Sequence, residues 1–155
     1  MTLAADRQTP YRATGGMRHH QRPVAADAII FLGALLALDT DGYVVPADDA
    51  SALVVIGIAE EAVDATGLDD GDVKVKYVTG VTAQFVNASG AIGQADHYAF
   101  AEDDDAITDY SGSTNKNFVG PIVEFTSALA WVHVDEAVIA AYHAAVVYSD
   151  ANDST

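Results

Sequence analysis

Residues 71–87, Gly-Asp-Val-Lys-Val-Lys-Tyr-Val-Thr-Gly-Val-Thr-Ala-Gln-Phe-Val-Asn, constrain the fold more than any other stretch. Val73, Val75 and Tyr77 alternate with Asp72, Lys74 and Lys76, and Val81, Ala83 and Phe85 share a face opposite Thr82, Gln84 and Val86. A period of two with one apolar side is the pattern of a half-buried β-strand. Thr79-Gly80 separates the runs and is too short for an excursion, so the stretch is either a tight hairpin or one strand kinked at the glycine.

Further strand candidates follow the same logic. Residues 28–38 are apolar around Gly33, and periodicity alone allows a helix or two buried strands. Asp39-Thr40-Asp41-Gly42 then supplies a turn before Tyr43-Val44-Val45-Pro46, which favours a hairpin. The Asp39, Asp41, Gly42 spacing lacks the later ligands and closing Glu of a calcium loop, so it reads as a turn. Residues 53–59 form a dense apolar strand, and 63–72 a turn-rich connection. A turn cluster at 87–90, a strand or connector over 92–101, and closing strands over 118–125 and 128–134 complete the body, with Trp131 expected in the core. After Asp135, a plausible N-cap, residues 136–148 lack Gly and Pro and are rich in alanine. Val138, Ile139, Tyr142, Ala145 and Val146 lie near one stripe of that helix, which must pack on its own body or on a neighbouring copy.

The fold expected is therefore mainly β: a small barrel or tulip-like body over residues 24–134, with an extended basic arm at 1–23, a C-terminal helix at 135–149 and a polar tail at 150–155. The 155 residues suffice for one core, and an apolar share of 50% excludes a disordered body. Charge is divided sharply. Residues 1–22 carry four arginines against one aspartate, a net +3, whereas the remainder carries three lysines against 22 carboxylates, a net −19. Such a body repels phosphates and anionic membranes, so neither nucleic acid nor membrane is expected as a partner. The longest apolar run, eleven residues at 28–38, is short of the roughly 20 a spanning helix needs, and its polar leader does not suit a signal peptide.

Catalytic and metal readings find little support. With no cysteine, disulfides, thiolate sites and cysteine nucleophiles are absent. His19-His20 stands without carboxylate or cysteine neighbours, and Glu60 and Glu61 point to opposite faces of a strand end, so they cannot share a substrate. Glu102-Asp103-Asp104-Asp105 could gather a divalent cation, although charge runs are more often solvated loop. Residues 111–117 read as an exposed loop, too poor in glycine to cradle a phosphate. No nucleophile elbow or metal-ligand spacing surrounds the scattered Ser, His and Asp residues. No enzyme activity, cofactor or metal is expected.

Read in series, Gly33-Ala34, Ala37-Leu38, Gly42-Tyr43-Val44-Val45-Pro46-Ala47, Leu53, Gly57-Ile58-Ala59-Glu60, Val63-Asp64, Gly67, Asp70-Gly71-Asp72-Val73-Lys74-Val75, Val81, Phe85-Val86-Asn87-Ala88-Ser89-Gly90-Ala91 and Trp131-Val132 resemble one family. They are similar to the small capsid cement (head decoration) proteins of tailed bacteriophages and Mu-like prophages, in order and at similar spacing over residues 24–134. The acidic loop 102–109, the stretch to Asn117 and the helix after Asp135 depart from that pattern. The resemblance implies a structural protein on the outer face of the virion capsid, made in the bacterial host cytoplasm, with the major capsid protein as partner and a homo-oligomer, frequently a trimer. Under it, Arg7, Tyr11, Arg12, Arg18 and Arg22 are the expected capsid contacts; from the helix pattern alone, Val138, Ile139, Tyr142 and Val146 are the expected contacts between copies. The competing expectation is a free-standing binding module that takes a carbohydrate or host surface through Tyr98, Tyr110 and Trp131.

Overall fold

The computed structural model describes residues 2–50, 52–88 and 98–153. The turn cluster beyond Ala88 and residues 92–97, including His97, lie outside them. Among the described residues the strands are β1 (Tyr11–Pro23), β2 (Ile29–Ile30), β3 (Leu35–Leu38), β4 (Val44–Pro46), β5 (Val54–Ala59), β6 (Val63–Asp64), β7 (Lys74–Asn87), β8 (Tyr98–Ala101), β9 (Ala106–Thr108), β10 (Phe118–Phe125) and β11 (Leu129–Val134), followed by one helix, α1 (Glu136–Asp153). Strands β11, β10, β8, β9 and β7 pair in that order, and β11 returns to β7, which closes a five-stranded barrel. From β7 the sheet continues outward through β5, β3 and β4, while β2 and β6 form a small second sheet. The fold is mainly β, as expected.

Strand β7 is one strand, kinked at Gly80. Before the kink, Val75 and Tyr77 face a core made with Val24, Ile30, Leu36, Val44 and Ile56. Beyond it, Val81, Ala83 and Phe85 fill the barrel with Leu35, Val55, Ile107, Phe118 and Val132. Odd-numbered residues thus change sides at the kink, since Val78 already belongs to the barrel core. One residue with φ of +74° at Gly80 supplies that change of face, as a bulge does by inserting a residue into the alternation. Strands β3 and β5 run between the two cores: Leu35, Ala37, Val55 and Ile58 serve one, Leu36, Ile56 and Ala59 the other. A strand covered on both faces needs no polar side, so its sequence is continuously apolar. That is why residues 28–38 look equally like a helix. The hairpin reading of their second half holds, because β3 pairs β4 antiparallel and the Asp39 carboxylate accepts the Asp41 and Tyr43 amides at 3.0 and 2.9 Å.

The free basic arm expected over residues 1–23 is corrected. Tyr11–Pro23 forms β1 and pairs antiparallel with β7 from Ala83 to Lys74, with a register irregularity between Ala13 and Arg18 opposite the Gly80 kink. Most of its side chains remain exposed, so no apolar alternation marks it in the sequence. Residues 3–10 are also held. The Leu3 amide donates to Asp104 at 2.8 Å, the Arg7 amide to the Leu32 carbonyl at 2.8 Å, the Thr9 hydroxyl to the Gly33 carbonyl at 2.5 Å, and the Gln84 amide to the Pro10 carbonyl at 3.0 Å. Gly33, at φ +84°, lets this strap approach: a Cβ there would stand 2.1 Å from the Arg7 carbonyl oxygen. Removing residues 1–22 therefore strips a strand and a strap from the body rather than a separable arm. At the other end, the helix continues through Asp153, over most of the expected polar tail.

Gly80 combines positive φ with contact: a Cβ would lie 2.2 Å from the Gly16 carbonyl oxygen, whereas one at Gly42, φ +87°, meets nothing within 4 Å. Gly80→Ala is expected to destabilise the protein by about 2 kcal/mol or more, against about 1 kcal/mol for Gly42→Ala. Thermal unfolding checks this, with a midpoint drop of roughly 4–8 °C for Gly80→Ala. Equal effects of the two substitutions would mean that the close β1–β7 approach contributes nothing to stability.

Candidate functional site

The arginines expected to reach a partner are largely engaged within the chain. Arg22 Nε donates to the Tyr77 hydroxyl at 2.9 Å, its guanidinium also binds Glu136, and the hydroxyl donates to Glu136 at 3.0 Å. Tyr77 is fully buried, so its phenol needs a partner, and this triangle supplies it while tying β1 and β7 to the first turn of α1. Hydrogen bonding to Tyr77, ahead of the opposing effect of burial, holds the Arg22 pKa above its ordinary value. Arg18 pairs with Asp135 at 2.9 Å. Asp135 is also the N-cap, accepting the Ala137 amide at 2.9 Å. Burial pushes its carboxyl up, but that amide and Arg18 outweigh it and keep the carboxyl below the usual range. His19 Nδ1 stands 2.7 Å from Glu60, so the histidine pair has a neighbouring carboxylate across the fold.

Arg12 lies at the barrel's other end. Its guanidinium sits 4.0 Å from the centroid of Trp131 and 3.4 Å from Glu124. Trp131 is thus half-buried under an arginine rather than a core residue. Around the tip of the β10–β11 hairpin, Val123, Phe125 and Leu129 are exposed, and Val86 beside Leu129 on β7 is exposed too. Tyr11 is also exposed, on β1 next to Arg12.

The acidic run corrects the expectation of a solvated loop. Asp103 and Asp104 are buried beneath the N-terminal strap, and oxygens of Asp103, Asp104 and Asp105 lie within 4.8 Å of one another. The turn is fixed by its backbone: Asp104 and Asp105 carbonyls accept the Leu35 and Val86 amides at 2.8 and 3.0 Å. Arg7 neutralises the group from the strap; burial lowers its pKa against the opposing pull of the three aspartates, while it donates to Thr9 and to the Gln84 carbonyl, each at 3.0 Å. Burial, the Leu3 amide acting against it, and the Asp103 charge leave Asp104 raised. Burial, then the hydrogen bond and like charge of Asp103, push Asp105 up to about 6. Residues 111–117 are likewise less open than expected, with Ser113 and Asn117 buried. Asp49 accepts from Ser113 Oγ at 3.2 Å and from the Thr114 and Asn115 amides at 2.7 and 2.8 Å.

The residues expected to join copies divide in two. Ile139 is fully buried in the barrel core, and Tyr142 stacks on Phe118 at 4.1 Å between centroids and 18° between planes. Both serve their own body; Val138 and Val146 stay exposed. Tyr98 and Tyr110, each 53% exposed, converge with Phe100, Phe118, Val138 and Tyr142 on an open groove of about 610 Å³. Trp131 is not part of it. Sequence reading missed the roles of Tyr77 and Glu136. An inward-facing tyrosine on an alternating strand was the available signal for the first.

Comparison of the chain with protein-family models, with curated proteins and with solved structures finds no match.

Asp105 gives a pH test. Its folded pKa of about 6 exceeds its ordinary 3.8, so its contribution to stability is complete below 3.8 and disappears as pH rises through 6. Asp105→Asn is expected to unfold at a higher temperature than the parent at pH 7.5, with the gap closing by pH 4. A gap constant across that range would mean that Asp105 contributes none of the pH dependence.

Proposed function

We propose that this chain is a structural capsid decoration protein that sits on the outer face of a phage head shell and stabilises it, self-associating as a homo-oligomer with a trimer favoured. The observation that carries this reading is the exposure of Val86, Val123, Phe125 and Leu129 around the tip of the β10–β11 hairpin, in a chain whose residues beyond 22 carry a net −19. The ordered series of residues resembling cement proteins supports it. So does the position of those residues in the β3–β4 hairpin, β5, β7 and β11, the parts that build the two cores. The contact with the major capsid protein is assigned to this hairpin tip together with Tyr11 and Arg12; Arg7, Arg18 and Arg22 hold the body together. Contacts between copies are assigned to the exposed Val138 and Val146 side of α1. Many weak identical contacts on a lattice add by multivalency, so no single one needs high affinity.

Substitution rather than truncation tests the reading, because residues 1–22 are part of the body. Electron microscopy of shells of the cognate major capsid protein, with and without this chain, should reveal added density on the outer face. Replacing Phe125 and Leu129 together by Asp is expected to lower occupancy at least about tenfold, since each buried side chain of this size contributes about 1.5–3 kcal/mol. The thermal midpoint should hardly move. Shells that carry no added density with the parent chain would sink the proposal.

A second reading, a binding module for a carbohydrate or host-surface ligand, is favoured by the convergence of Tyr98 and Tyr110 on the aromatic groove. Glycan-array binding that disappears in Tyr98→Ala and Tyr110→Ala would support it, and an array without hits would set it aside.

A further inference from the structure

His143 lies on α1 in a slot of about 380 Å³, lined also by Leu53, Val54, Asn115, Lys116, Asn117 and Val146. Its Nε2 is buried and has no hydrogen-bond partner among the described residues. The donors of the slot are engaged elsewhere. Asn117 Nδ2 donates to the Asp48 and Ala50 carbonyls at 2.9 and 2.7 Å, and Asn115 Nδ2 to the Asp49 carbonyl. Lys116 Nζ binds the Tyr110 and Ser113 carbonyls and sits 4.1 Å from the Tyr110 ring centroid. A neutral imidazole can leave one nitrogen unpaired in such a place at modest cost, but an imidazolium must bury a charged N–H that no described residue hydrogen-bonds in the docked arrangement.

We propose that α1 is an acid-sensitive latch: it stays docked on the barrel while His143 is neutral, and a proton on Nε2 releases the helix from about Tyr142 onward and uncovers Phe118 at the floor of the aromatic groove. The charged groups near His143 are few, and burial is the cause that sets its protonation. Lys116 lines the same slot from the loop before β10. Tyr142 beside it on α1, at 5.5 Å between rings, is uncharged at neutral pH, and Ala52, Leu53 and Val54 at the start of β5 carry no charge. The nearby loop's Asp48 and Asp49 are committed to the Ala50 amide and to the Ser113–Thr114–Asn115 donors. Glu136, at the start of α1, is held by Arg22 and Tyr77. Burial accordingly places the His143 pKa below its ordinary 6.5. A group whose folded pKa is depressed in this way resists protonation, and docking weakens as pH falls below 6.5. Asp105 acts in the opposite sense, so whole-molecule stability alone does not isolate the latch.

Amide hydrogen exchange of α1 in the full chain, corrected for intrinsic rates, isolates it. From pH 7.5 to 5.5 the opening constant of α1 is expected to rise by up to tenfold per pH unit below 6.5, until the docked-state pKa is reached. His143→Phe, which keeps a ring in the slot, should exchange with no such pH dependence. In the parent protein, NMR titration of the imidazole should give a midpoint below 6.5, and the Phe118 and Tyr142 rings should unstack over the same range. An imidazole midpoint at or above 6.5, or the same pH dependence of α1 in parent and variant, would overturn the proposal. If the variant does not fold, the imidazole titration and the unstacking of the two rings decide alone.

Discussion

A single strand has to belong to two cores, and the rest of the molecule follows from how that is arranged. β7 pairs with β1, β5, β9 and β11. Its first half covers the inner core with Val75 and Tyr77, and its second half lines the barrel with Val81, Ala83 and Phe85. A strand that kept its alternation throughout would send one of those sets to the wrong side. Gly80 resolves the conflict with one positive φ, and the irregularity in β1 opposite it accommodates the same extra turn of the backbone.

This strand is legible in the sequence because alternation survives on each side of Gly80. β3 and β5 are legible as apolar but not as strands, since burial on both faces erases the period that would distinguish them. β1 is illegible for the opposite reason. Arg12, His19, His20 and Gln21 are polar and exposed, and backbone pairing to β7 leaves no trace in side-chain pattern. The acidic turn misleads in a third way. Asp103 and Asp104 read as solvated by composition, but the strap that covers them begins about a hundred residues earlier, at Leu3. Long-range cover of this kind has no local signature.

The charge asymmetry takes on a different meaning once the chain is folded. Four arginines near one end of an acidic chain suggest a free arm seeking an acidic partner. Instead, Arg7 offsets the aspartate turn, Arg18 and Arg22 anchor the head of α1, and Arg12 lies across Trp131 next to Glu124. Arg7, Arg18 and Arg22 are used within the molecule, tying the N-terminal segments to β7 and to the head of α1. What remains facing outward is the acidic surface, interrupted by apolar side chains at the β10–β11 tip and along α1.

On the proposed reading, that interruption is where a partner would approach. Residues 137–149 contain no Asp, Glu, Lys or Arg, whereas the chain beyond residue 22 carries a net −19. Two such bodies repel each other at a distance, but at physiological ionic strength the repulsion is screened beyond roughly 8 Å. Contact between uncharged surfaces costs little electrostatically and gains from removing Val138, Val146, Phe125 or Leu129 from water. On the proposed reading, the acidic remainder would act as a filter against associations that bring other faces together. Specificity in this molecule would arise less from attractive charge than from the scarcity of places where charge is absent.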